Sequence, residues 1–149
     1  MLCKNVKRRL RKKPDITVYA EINICWETDR RKSVKEEVEF INSRLKEPGE
    51  EIEIFSRKIK GKKVNRWVWS TGKVKTYHVD KVLDKVLVRF SDKVKVMQDI
   101  KRAINADISL EIVIEMNKKE VPSLVIDERV IDFMQKIGGY IDVDMYVVG

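Results

Sequence analysis

The chain has two cysteines, Cys3 and Cys25, and a single histidine, His78. Two thiols without a paired C-x-x-C spacing make neither a disulfide framework nor a zinc site, which points to a reducing, cytoplasmic setting. No G-x-G-x-x-G, Walker-type, H-E-x-x-H or G-x-S-x-G run occurs, so the common phosphate-cradling, zincin and serine-hydrolase signatures are excluded. The N-terminal charges have no apolar stretch behind them, as a secretory signal requires. No apolar run approaches the ~20 residues of a membrane span. Proline and glycine are also scarce, at three and six residues, which argues against linkers and low-complexity segments.

What remains is a globular composition. The 149 residues are 43% hydrophobic and 38% charged. A chain of this size forms one domain and buries roughly 70% of its unfolded surface. The net charge of +8 is unevenly spread. Residues 1–13 carry seven basic residues, Arg8, Arg9 and Arg11 among them, and no acid. Residues 57–78 carry eight more, again with no acid: Arg57, Lys58, Lys60, Lys62, Lys63, Arg66, Lys73 and Lys75. The rest of the chain is mildly acidic. The expected organisation is a basic arm over residues 1–14 and a single α+β domain over residues 15–149.

Hydrophobic periodicity supplies the elements. Ile16 to Ile24 alternates as a strand with one buried face. Ser33, with Glu36 three residues on, forms a capping box for a helix bearing Val34, Val38, Ile41 and Leu45, and Pro48-Gly49 ends it. Ile52–Ile59 and Val64–Ser70 read as a hairpin around Lys60-Gly61-Lys62-Lys63. Val79, Val82, Leu83, Val86, Leu87 and Phe90 form one helical stripe. Ser91 or Asp92 is the expected cap of a second helix, with Val94, Met97, Ile100 and Ile104. Ile108–Met116 alternates as a strand, and a short strand is expected at Leu124–Ile126. A helix over residues 127–137 stops at Gly138-Gly139, and a last strand places Ile141, Val143, Met145 and Val147 on one face. The order β-α-β-β-α-α-β-β-α-β predicts a mostly antiparallel sheet carrying about four helices. The two ends share a plan of a strand pair plus one helix, which suggests a ferredoxin-like duplication.

Three stretches carry a family resemblance. They are Arg66-Trp67-Val68-Trp69-Ser70, the helix after His78-Val79-Asp80, and a C-terminal block. That block runs Pro122-Ser123-Leu124-Val125-Ile126-Asp127, then Val130-Ile131-Asp132-Phe133, then Ile141-Asp142-Val143-Asp144-Met145-Tyr146. From about Val18 to Val147 the chain resembles a bacterial and phage family known as domain of unknown function 4279. The resemblance implies an α+β fold and leaves out the basic arm. It implies no activity and no catalytic residue. By analogy it suggests a small accessory protein of immunity or counter-defence type.

The candidate chemistry is thin. His78 sits at a helix entrance beside Asp80, the place of an ordinary boundary residue rather than a general base. Asp142 and Asp144 share a strand face roughly 7 Å apart, a spacing open to a divalent ion or an acid–base pair, or to plain solvation. Cys25 lies in an apolar strand as an inert thiol. No enzyme, cofactor or metal is expected. The basic hairpin is the strongest candidate, because Phe55, Trp67, Trp69 and Tyr77 are interleaved with its cations. If Trp67 and Trp69 are core, as spacing by two on one strand face suggests, the cations form a surface for an acidic protein. If they are exposed, bases can stack on them and the hairpin suits nucleic acid. The expectation is a non-catalytic protein-binding module meeting an acidic partner. Nucleic acid is the alternative, a membrane is not expected, and a strand edge leaves a dimer open.

Overall fold

The computed structural model describes residues 14–148. The elements follow in the order β1 (Thr17–Glu27), α1 (Val34–Leu45), β2 (Glu53–Ile59), β3 (Lys62–Ser70), β4 (Val74–Lys75), α2 (Val79–Phe90), α3 (Val94–Ile104), β5 (Asp107–Met116), α4 (Glu128–Lys136) and β6 (Tyr140–Val147). The class is α+β, with four helices and a six-stranded, mostly antiparallel sheet among the described residues. No helix among the described residues is long and apolar enough to cross a membrane.

The strand order is β2-β3-β1-β5-β6, so β1 is central and is hydrogen-bonded along both edges. The unit β1-α1-β2-β3-α2-α3-β5 has the ferredoxin-like split βαβ plan, with a helix pair in place of its second helix. That plan occurs once. The expected duplication is absent, because α4 and β6 instead extend the sheet by one strand parallel to β5.

Alternation along β1 and β5 decides where the core sits. Ile16, Val18, Ala20, Ile22, Ile24 and Trp26 point to one side, together with Ile108, Leu110, Ile112 and Ile114. The apolar stripes of all four helices cover that side, through residues such as Ile41, Leu83, Phe90, Ile100 and Phe133. Among the described residues no helix packs on the other side, where Asn23, Val68, Ser109 and Val113 are nevertheless buried.

Several local expectations are corrected. Leu124–Ile126 is not a strand: its neighbour Ser123 makes a single bridge to His78 and the chain moves on. The sixth strand is β4, which resumes the pairing of β3 with β1 after a one-residue slip in register. Gly72, at φ +76°, and the Thr71 side chain, which accepts from the Ala20 N–H, form this bulge. The hairpin turn is only Lys60-Gly61, both at positive φ, and β3 already begins at Lys62. Ser91 closes α2 rather than opening α3, whose N-cap is Lys93. Ser33 caps α1 as expected, and Asp127, the first residue of the expected last helix, is the N-cap of α4.

One ion pair ties the layers together at the base of the hairpin. Arg89, on the last turn of α2, donates to both carboxylate oxygens of Glu50 at 2.7 and 2.6 Å, and to the Leu45 carbonyl that ends α1. The Trp69 indole N–H donates to the same carboxylate at 2.7 Å, and the Trp69 ring meets Phe90 edge-on. Its arginine partner holds the Glu50 carboxyl down at about 2. The Arg89 side chain is only 9% exposed.

Arg89→Met should therefore cost about 3–5 kcal/mol in a denaturant titration, because it strands the Glu50 charge and an orphan carbonyl. Glu50 titrates below its ordinary value in the folded state. Its contribution is thus full above the unfolded carboxylate range and fades as pH falls from about 4.5 towards 2. Arg89→Met should flatten that acid limb, and an unchanged limb would remove the ion pair from the account.

Candidate functional site

The open sheet face can be read as rows across the strands, since directly paired residues share a face. One row holds Arg57, Val64 and Glu27, and the next Phe55, Arg66, Cys25 and Asp107. Then come Glu53, Val68, Asn23, Ser109 and Tyr140, and after them Ser70, Glu21, Glu111 and Asp142. Asp144 follows beside Val113 and Tyr19. The face is cationic and aromatic at the hairpin corner and acidic across β1, β5 and β6.

At the hairpin corner, Cys25, Phe55, Arg57, Val64 and Arg66 line a shallow groove of about 500 Å³. The Arg66 guanidinium lies 4.7 Å from the centre of the Phe55 ring, which is 46% exposed. Lys62 shares this face, whereas Lys58 and Lys63 pair with each other on the opposite face and Lys60 stands in the turn. Lys62 lies 3.8 Å from Glu27, a loose exposed pair worth little. Among the described residues no carboxylate comes within 4.0 Å of the charged ends of Arg57, Lys58, Lys60, Lys63 or Arg66. Burial pushes the Cys25 thiol up, which keeps it a poor nucleophile.

The structure brings six of the expected residues together, Arg57, Lys58, Lys60, Lys62, Lys63 and Arg66, and separates two. Lys75 pairs with Thr17 at the far end of β1, and Lys73 bonds Glu115 at 3.2 Å. The length of β1, roughly 30 Å at the rise of a strand, lies between them and the hairpin. Arg8, Arg9 and Arg11 lie outside the described residues. Trp67 and Trp69 are not stacking platforms. Trp67 is fully buried and donates to Asn42 at 2.8 Å, and Trp69 packs on the core.

Sequence reasoning marked Asp142 and Asp144 but missed their neighbours. Parallel pairing of β6 with β5 sets Asp142 beside Glu111, which itself pairs with Glu21. Asn23, only 2% exposed, donates weakly to Glu111 at 3.4 Å, while its own carbonyl oxygen has no partner. Burial, a hydrogen bond shared with Asp144 and the charge of Glu21 push Glu111 up to about 7. The signal available in the sequence was the polar position recurring in each alternating strand. Which acids become neighbours depends on register, which the alternation does not encode. No group of three or more acidic, histidine or cysteine side chains among the described residues is arranged to hold a metal ion. His78 makes no side-chain cap for α2.

With this geometry described, the chain belongs to the family of the domain of unknown function DUF4279, whose model matches residues 16–148. No curated protein and no solved structure matches it.

The acidic patch makes stability fall as pH rises. Glu111 holds a proton in the folded state that the unfolded chain releases near its ordinary value of 4.5. Folding is therefore favoured less and less between about pH 4.5 and 7, and the buried charge weighs fully above that window. Glu111→Gln should raise the melting temperature by roughly 2–4 °C at about pH 8 and leave it nearly unchanged at about pH 5. Equal effects at both pH values in a thermal melt would refute the shared proton.

Proposed function

We propose that the protein is a non-catalytic binding module, of inhibitor or immunity type, whose β2–β3 hairpin engages an acidic protein segment. The observation that carries this reading is the hairpin itself. It gathers six cations, leaves most of them without an internal carboxylate, and sets them among exposed Ile54, Phe55 and Ile59. Cations beside apolar and aromatic side chains suit a peptide that offers both carboxylates and apolar groups. Complementary charge steers such encounters and rejects wrong partners. A free thiol at Cys25 fits the cytoplasm as the working compartment.

The nucleic-acid reading is weaker for two physical reasons. Single-strand readers with this strand topology stack bases on aromatics of the open sheet face. Here the two tryptophans of β3 face the core, and the central strands present Glu21, Glu111 and nearby Asp144, which repel phosphate. A catalytic reading lacks convergence, since Cys25 and Glu111 lie two rows apart on the open sheet face and His78 stands at the entrance to α2.

The test is a titration of a fluorescent acidic peptide containing aromatic residues against a single-stranded oligonucleotide of equal charge. The peptide should bind more tightly. Replacing Lys60, Lys63 and Arg66 with Ala should weaken it about 10–100-fold, as loss of three unpaired cations at one interface implies. Tighter binding of the oligonucleotide, with a steep salt dependence, would overturn the reading in favour of nucleic acid. Peptide affinity untouched by the triple substitution would remove the hairpin as the site.

A further inference from the structure

The outer edge of β2 is unpaired among the described residues, and all seven of its residues are exposed. Its sequence is charge-polarised. Glu53, with Glu51 just before the strand, precedes Phe55, and Arg57 and Lys58 follow it. A strand that is acidic in one half and basic in the other is complementary to itself when turned antiparallel. We propose that β2 pairs antiparallel with β2 of a second copy of this chain about a two-fold axis at Phe55, joining the two sheets into one.

The register follows from the hairpin. In a two-residue turn the flanking residues form a hydrogen-bonded pair, here Ile59 with Lys62. Hydrogen-bonded pairs recur at every second residue, so Arg57, Phe55 and Glu53 spend their backbone groups on β3. Ile54, Ser56 and Lys58 therefore aim N–H and C=O outward along the free edge. A two-fold at Phe55 sets Ile54 opposite Ser56 of the second copy, so outward groups meet outward groups and the ladder closes. On the open face the same axis sets Phe55 against Phe55 and Glu53 against Arg57, twice. These are non-hydrogen-bonded positions, where side chains approach most closely. Moving the axis to Ser56 satisfies the backbone equally but opposes Glu53 to Ile59 and Lys58 to Ile54, forfeiting both ion pairs. An odd shift opposes outward groups to inward ones and is excluded. Charge thus selects the Phe55 axis from the registers that hydrogen bonding allows.

The pairing shares Phe55 and Arg57 with the proposed acidic-partner surface but does not engage Lys60, Lys63 or Arg66, the residues that test that reading. It uses the backbone edge with Glu53, Phe55 and Arg57, while Lys58, Lys63 and Arg66 project from the sheet faces.

Sedimentation equilibrium over roughly 1–100 μM, the range of a small interface, reports the result. The wild-type full chain should be a dimer at the upper end. Glu53→Arg alone, or Arg57→Glu alone, places like charges opposite each other twice and should weaken dimerisation about ten-fold or more. An equimolar mixture of the two single variants should form a heterodimer, and E53R/R57E in one chain should restore the homodimer. Both positions are exposed, and unchanged circular dichroism checks that each variant folds. A monomeric wild type, a dimer indifferent to both single variants, or single variants that do not pair on mixing would each overturn the proposal. The peptide titration with the Lys60, Lys63 and Arg66 variant is read separately, so failure of one idea leaves the other standing.

Discussion

The organisation of this protein depends on β1 being hydrogen-bonded along both edges while packing only one of its faces against the described helices. Its even-numbered residues are apolar and its odd-numbered residues polar or half-polar, so the helices have a single side on which to pack. A slip of one residue would turn Ile22 and Ile24 away from the helices and Glu21 and Asn23 into the apolar core, which is why the register is strongly specified. Everything on the open face inherits its place from that register. Arg66 stands between Phe55 and Cys25, and Glu111 between Glu21 and Asp142, because their strands read off β1.

The hairpin projects from this sheet, and its base is fixed by the Arg89–Glu50 pair. Glu50 lies three residues before β2, Trp69 lies near the end of β3, and both are held to α2 through Arg89 and Phe90. The loop between α1 and β2 is thereby tied to the helix layer. A buried ion pair offers little net stability against a well-packed apolar substitute, yet removing one member is expensive, and its best-attested use is to fix one geometry among several. Here it fixes the angle at which a cationic, exposed hairpin leaves a close-packed body.

Legibility in the sequence followed how local each feature is. Helices with clean stripes were readable at Val79–Phe90 and Val94–Ile104, whereas spacing by two favoured a core placement of Trp67 and Trp69 without deciding it, and the fold turns both to the core. The last helix starts where the sequence places it, at Asp127, whose side chain caps it within one turn. The run at Leu124–Ile126 misled because β-propensity is realised only beside a partner strand, and the chain there crosses to α4. Lys73 and Lys75 looked continuous with the hairpin cations. The bulge at Gly72 instead carries them along β1, away from the turn at Lys60 and Gly61. The acidic patch was half legible: β6 shows Asp142 and Asp144 by itself, but pairing across more than thirty positions of sequence supplies Glu111.

The two sheet edges carry opposite instructions. On β6, an antiparallel pairing with a second β6 centred on Val143 would set Asp142 against Asp144 on the face that already holds Glu111. A patch that shares a proton to relieve its own repulsion resists two further carboxylates, so that edge is guarded by like charge. On β2 the order of charges reverses across Phe55, and self-pairing turns each half toward its complement. An exposed edge whose pattern attracts its own copy closes as a two-fold pair. Pairing the cationic edge of one copy to the acidic edge of another would propagate without closure. A charge-polarised β2 beside an acidic β6 therefore favours the closed arrangement and leaves the cations on the hairpin faces available to a different partner.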